Sequence, residues 1–106
     1  MPKYLFEVKY TLEGMKGLKD KGGTARVAAS RALVEEAGGT IESFYFAFGG
    51  RDAFIIADLP DNVAGAALGL IVGASGGVNS AATVLLTPEE IDEAAKKQLT
   101  YRPPGS

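Results

Sequence analysis

The chain contains neither cysteine nor histidine. That absence excludes zinc sites of the usual Cys/His types, thiol catalysis, disulfides, Ser-His-Asp triads and His-ligated haem. Magnesium or calcium would need oxygen ligands gathered in one place, and no Asp-rich loop is present to supply them. Neither a metal nor a cofactor is therefore expected. Charge of one sign is also lacking. The net charge is -2 and the basic residues are scattered, so no field draws in nucleic acid or an anionic membrane. Long hydrophobic runs are missing too. Val63 to Val78 carries no charge and is interrupted by glycine, but it falls short of the roughly 20 residues a spanning helix needs. Neither nucleic acid nor membrane is an expected partner. The chain enters a strand almost at once without a signal-peptide pattern, so a cytoplasmic location is expected.

What is present describes an ordinary globular protein. Its 106 residues, 46% hydrophobic and 23% charged, suit a single domain. A chain of this length buries roughly two-thirds of its unfolded surface, which leaves little to spare. Residues 1–100 read as the domain and 101–106 as a Pro-rich tail.

Lys3 to Tyr10 alternates as a strand, with Tyr4, Phe6, Val8 and Tyr10 on one side and Leu5, Glu7 and Lys9 on the other. Thr11 to Gly23 reads as a polar, Gly-broken link holding at most a turn of helix around Met15 to Lys19. Thr24 stands where an N-cap belongs, and a helix should run from there to about Ala37. Its apolar stripe is Val27, Ser30, Leu33, Val34 and Ala37. Arg31 and Glu35 have the spacing of an i,i+4 pair. Gly38-Gly39 ends that helix. Thr40 to Phe48 reads as a second strand, Gly49 to Asp52 as a hairpin connection, and Ala53 to Leu59 as a third strand. Pro60-Asp61-Asn62 caps a helix to Ala74, and Val78 to Leu86 is a fourth strand. Thr87-Pro88-Glu89-Glu90 has the form of a capping box with proline at the first helical position. It opens a last helix whose apolar face is Ile91, Ala94, Ala95 and Leu99. The order β-α-β-β-α-β plus a terminal helix implies an α+β, ferredoxin-like fold: one four-stranded antiparallel sheet with two helices on one face.

Such a sheet leaves its other face open. Either register of the middle strands puts large apolar groups there, drawn from Phe44, Phe46 and Phe48 or from Phe54 and Ile56. Patches of that size are unusual on a monomer, so a second copy of the chain is the expected partner. The helix from Asn62 to Ala74 is apolar nearly all round, whereas a surface helix should have a polar side. Gly65, Gly69 and Gly73 form a smooth ridge along it. Burial against another subunit and burial under the C-terminal helix both remain open.

Three segments are candidate sites. Gly22, Gly23 and Thr24, with Arg26 one turn on, resemble an anion-binding helix start. By helical angle Arg26 falls on the core-facing stripe, an odd place for a charge unless it meets a carboxylate, a carbonyl or a ligand. The segment lacks the Gly-Lys-Ser/Thr ending of a phosphate-binding Walker loop. Tyr10, Tyr45, Arg51 and Asp52 could gather at a sheet end to bind a small polar ligand or move a proton. Equally, the tyrosines could pack with satisfied hydroxyls while Asp52 holds the turn. Ser75 to Ser80 reads as a pocket lip or as a helix stop followed by a strand start.

Six segments together resemble the GYD-domain proteins of bacteria: Met1-Pro2-Lys3-Tyr4-Leu5, Gly22-Gly23-Thr24-Ala25-Arg26, Phe44 to Gly49, Asp58-Leu59-Pro60-Asp61-Asn62, Ala74 to Val78 and Leu85 to Glu90. The resemblance spans nearly the whole chain. It implies a ferredoxin-like fold of the dimeric α/β-barrel type and no established activity. The Gly-Tyr-Asp that names the family falls at Gly50-Arg51-Asp52, with Arg51 in the tyrosine's place.

Two functions follow as expectations. One is a small homo-oligomeric binding or accessory protein. The other is a cofactor-independent enzyme, of oxygenase, isomerase or decarboxylase type, acting on a small organic acid or aromatic substrate. The second rests on fold analogy and requires Tyr45, Arg51, Asp52 and Arg26 to converge.

Overall fold

The computed structural model describes residues 1–105; Ser106, the last residue of the expected tail, lies outside them. The elements are β1 (Lys3–Tyr10), α1 (Leu12–Lys21), α2 (Gly23–Glu36), β2 (Thr40–Phe46), β3 (Ala53–Asp58), α3 (Asn62–Ala74), β4 (Val78–Leu85) and α4 (Pro88–Ala95). The four strands form one antiparallel sheet in the order β2-β3-β1-β4. This is the ferredoxin-like arrangement, with both central strands flanked on each side. β1 alternates as its sequence implies: Tyr4, Phe6, Val8 and Tyr10 are buried beneath the helices. They pack with Val34 of α2, Leu68 of α3, and Ile41, Ala53, Ala57 and Val78 from the other strands.

The link after β1 is a helix. Thr11 caps α1 by accepting from the Gly14 N–H at 3.2 Å, and its hydroxyl donates to the Gly76 carbonyl at 2.7 Å. The glycines that made this stretch read as a link have a tertiary purpose. A Cβ on Gly14 would lie 1.9 Å from the Gly77 carbonyl oxygen, so only glycine lets α1 dock against the loop before β4. α1 and α2 then share one cap. Gly22, at φ 86°, ends α1 by donating its N–H to Leu18 and starts α2 without a side-chain cap. Thr24 is therefore an exposed residue of α2's first turn and not its N-cap. Arg31 does not pair with Glu35; its guanidinium donates to the Ile41 carbonyl at 3.3 Å, tying α2 to β2.

β2 breaks strict alternation. Its pairing with β3 slips between Ile41 and Ser43, leaving Glu42 as an extra residue. Such a bulge moves all later side chains to the other face. Ile41 and Phe44 consequently both pack in the core, while Tyr45 lies opposite Phe54 and is 72% exposed. β2 stops at Phe46, two residues earlier than the apolar run suggests, and Phe48 is fully exposed in the connection.

α3 starts at an Asp61 cap. Only Gly65 and Leu68 of this helix are buried, and the C-terminal helix does not cover it. α4 has the expected capping box, with Thr87 and Glu90 each satisfying the other's backbone N–H. None of its residues is buried. Leu99, expected on its apolar face, lies beyond its end at Ala95. The radius of gyration is 17.0 Å, against about 13 Å for a compact chain of this length. The excess comes from the segment after β4, which extends from the body. Among the described residues, no helix is long and apolar enough to cross a membrane.

Candidate functional site

The sequence candidates divide between the two faces of the sheet. Tyr10 ends β1 on the helix side. Arg26, one turn into α2, reaches the same place, and both line a cleft between α1, α2 and α3. The cleft has a volume of about 560 Å³ and is walled by Leu18, Leu33, Ile71 and Val72, with Lys21 and Gly22 also contributing. Tyr10, Arg26, Leu33, Val72 and Val78 also border a smaller apolar cavity of about 70 Å³ that runs inward over Phe6, Phe44 and Leu68. The opening exists because α2 packs on β2 and α3 on β4, so the two helices stand apart over the middle of the sheet.

Burial pushes the Tyr10 phenol above its ordinary pKa. The Arg26 guanidinium, close enough to favour the phenolate, opposes the shift, and the charge on Asp52 adds to it. The cations beside the sheet are paired. Lys3 pairs with Glu42 and Asp58, Lys9 with Asp52, and Arg51 faces Glu7. Among the described residues, no carboxylate lies within ion-pairing distance of Arg26.

Tyr45 and Arg51 sit elsewhere. The bulge turns Tyr45 to the open face of the sheet. Arg51 lies on that side as well, its Nε 3.9 Å from Glu7. Asp52 stands between the faces and is nearly buried. One carboxylate oxygen accepts the Tyr10 N–H at 2.9 Å, and the other lies 3.6 Å from Lys9 Nζ. Its own N–H donates to the Val8 carbonyl at 2.8 Å, and its carbonyl accepts from Ala47 at 2.9 Å. Asp52 thus fastens the β2–β3 connection to the end of β1, the turn-holding role its sequence position allowed. The four groups required by the enzyme reading do not converge within one chain.

The proposed anion cradle is partly occupied. The Gly22 N–H is already given to Leu18 at 2.7 Å. Gly23 packs beneath the Phe46 ring, and Thr24 faces solvent. Of that segment, Arg26 is the side chain the cleft receives. Ser75 borders the cleft, but its hydroxyl donates to Val72 and accepts from Gly77, so it serves as a helix stop. Sequence reasoning missed the contribution of α1. The signal was Thr11, which has the cap role that Thr24 lacks. No group of three or more His, Cys, Asp or Glu side chains that could hold a metal is found among the described residues.

The fold and cleft define a ferredoxin-like α+β domain with a largely apolar helix-side cleft that holds Arg26 and Lys21. The family model for the GYD domain matches residues 4–95, and the chain belongs to that family. No curated protein and no solved structure matches it.

Proposed function

We propose that this protein is a small, self-associating binding protein whose α1–α2–α3 cleft takes a small organic acid with an apolar body. One observation carries this reading: Arg26, half-buried and without a carboxylate partner, lines a largely apolar cleft beside a buried phenol, with the exposed Lys21 as the cleft's other cation. A guanidinium without a carboxylate partner keeps its donors free for a ligand, and it is the side chain best shaped to take a carboxylate through two parallel hydrogen bonds. The ligand's acid group would meet Arg26 and the Tyr10 hydroxyl, and its apolar end would fill the inner cavity. The cleft volume falls in the range of small-molecule sites. The cytoplasm is the compartment we propose for it.

Catalysis on the same ligand class is the second reading. It draws on Tyr10 and Arg26 alone. A phenol pushed upward from its usual value is a poor base near neutral pH, so binding without turnover is favoured.

The test is calorimetric titration with benzoate, phenylacetate and hexanoate beside their neutral amides. Carboxylates should bind, and Arg26→Gln should weaken them about 10- to 100-fold, the range of a lost charged hydrogen bond. Equal binding of acids and amides, or no binding of either, overturns the reading. Turnover lost in Tyr10→Phe would favour the enzyme.

A further inference from the structure

Besides the open face of its sheet, the chain carries two uncovered apolar features. The first is the arm after β4. Every described residue from Leu86 to Gly105 is exposed, including Leu86, Ile91, Leu99 and Tyr101. This arm is nevertheless built to be helical over Pro88–Ala95, with a complete capping box. An eight-residue helix standing alone in water is marginal, so its stability must come from packing its apolar side. The second is a groove of about 290 Å³ between α3 and β4, where the small residues Gly65, Ala66, Gly69, Ser80 and Ala82 leave room beside Tyr4 and Phe6. Space stands open above Gly69 and Gly73. Neither α3 nor β4 contains a charged residue, yet Val84 of the groove and Val63 and Leu70 elsewhere on α3 are half to three-quarters exposed.

The arm does not reach the groove of its own chain. No residue of α4 is buried in its own chain, and the molecule is 57 Å long but only 32 and 23 Å across. We propose that the arm, from Leu86 through Tyr101, docks in the α3–β4 groove of a second copy, which returns its own arm in exchange. Large apolar side chains on the arm then fill the room left by the glycines and alanines of the groove. Reciprocal exchange gives a closed two-fold pair. The open sheet face is a poorer seat, because Lys3, Lys9 and Arg51 stand on it with their carboxylate partners.

The absence of native cysteine allows a clean test by cross-linking. Ile91→Cys and Gly69→Cys are made in separate preparations; the first site is exposed and the second has room for a side chain. Mixing and mild oxidation should give a covalent dimer that joins one of each. A double variant that closes on itself as a monomer would mean the arm folds back, and would overturn the proposal. So would the absence of any cross-link, or preferential capture of Ile91→Cys by Phe54→Cys on the open sheet face. Leu99→Cys with Ala66→Cys is the replacement pair if Gly69→Cys disturbs α3.

Discussion

The segment from β1 to β3 and the segment from α3 onward handle their apolar residues in opposite ways. In the first, β1 alternates buried with mostly half-buried residues, and Ala53, Ala57 and Leu59 are wholly buried. In the second, Val78 is the one buried residue of β4, and α3 leaves Val63, Leu70 and Ile71 largely in solvent. Hydrophobic content does not explain the contrast, since α3 is the most apolar helix of the chain. The difference lies in whether a partner surface exists within the same chain. The first segment closes on itself around β1. The second presents apolar surface outward, as a subunit interface would.

The largest effect should come from Leu59, which is fully buried and packs against Gly65 and Gly39. Leu59→Ala should cost about 2–5 kcal/mol in urea unfolding. Leu70→Ala removes the same atoms from a side chain that is 74% exposed and should change subunit stability by less than about 0.5 kcal/mol. Its effect should appear in self-association instead, measured by light scattering against protein concentration. A Leu70→Ala cost similar to that of Leu59→Ala at concentrations where the chain is monomeric would erase the comparison.

Asp52 comes next. Asp52→Ala leaves the buried Tyr10 N–H without its acceptor, a loss of about 1–3 kcal/mol. Arg51→Ala, next along the chain, breaks only a long and exposed contact with Glu7 and should cost between 0 and about 1 kcal/mol. The same unfolding measurement reads both. If Arg51→Ala proved the costlier change, the position where the family name has tyrosine would carry structural weight that the geometry denies it.

The features legible in the sequence were those decided within a few residues. The Thr87 capping box, the Asp61 cap region and the alternation of β1 are local, and each took its expected form. The angle of Arg26 on α2 was also local, and it placed the charge on the inward side where the cleft lies. What escaped depended on distant atoms. α1 was hidden because Gly14 answers to Gly77, far along the chain. Thr24 lost its cap role because Gly22 serves two helices at once. The separation of Tyr45 from Tyr10 turns on a single bulged residue in β2, and that slip is set by pairing with β3, not by the composition of β2.

The arm supplies a smaller effect. Thr87→Ala removes both the acceptor for the Glu90 N–H and the partner of a capping box. It should cost about 1 kcal/mol of helix stability. Because α4 buries nothing in its own chain, the loss should be confined to α4. Hydrogen exchange should quicken at Ile91 to Ala95, while exchange in β1 and β3 stays the same. Equal acceleration in the central strands would join the arm to the body's cooperative unit.

The smallest effect concerns the two ends of β1 at alkaline pH. Hydrogen bonds to Glu42 and Asp58 raise the Lys3 pKa, and burial raises that of Tyr10 against the pull of Arg26. In both cases the folded chain holds its proton more tightly than the unfolded chain. The associated stability is complete below the unfolded values, near 10 for both types of group, and is lost as pH rises through the folded ones. Stability should therefore be flat near neutral pH and fall above about pH 10. Lys3→Met should soften that fall only slightly, since the ammonium is exposed and well screened. Arg26→Met should act in the opposite sense on Tyr10: without the cation that favours the phenolate, its pKa rises further. Tyrosine-ring NMR across the alkaline range reads this directly. A Tyr10 titration that stays in place, or moves down, would separate the guanidinium from the phenol and remove the pairing on which the cleft's chemistry stands.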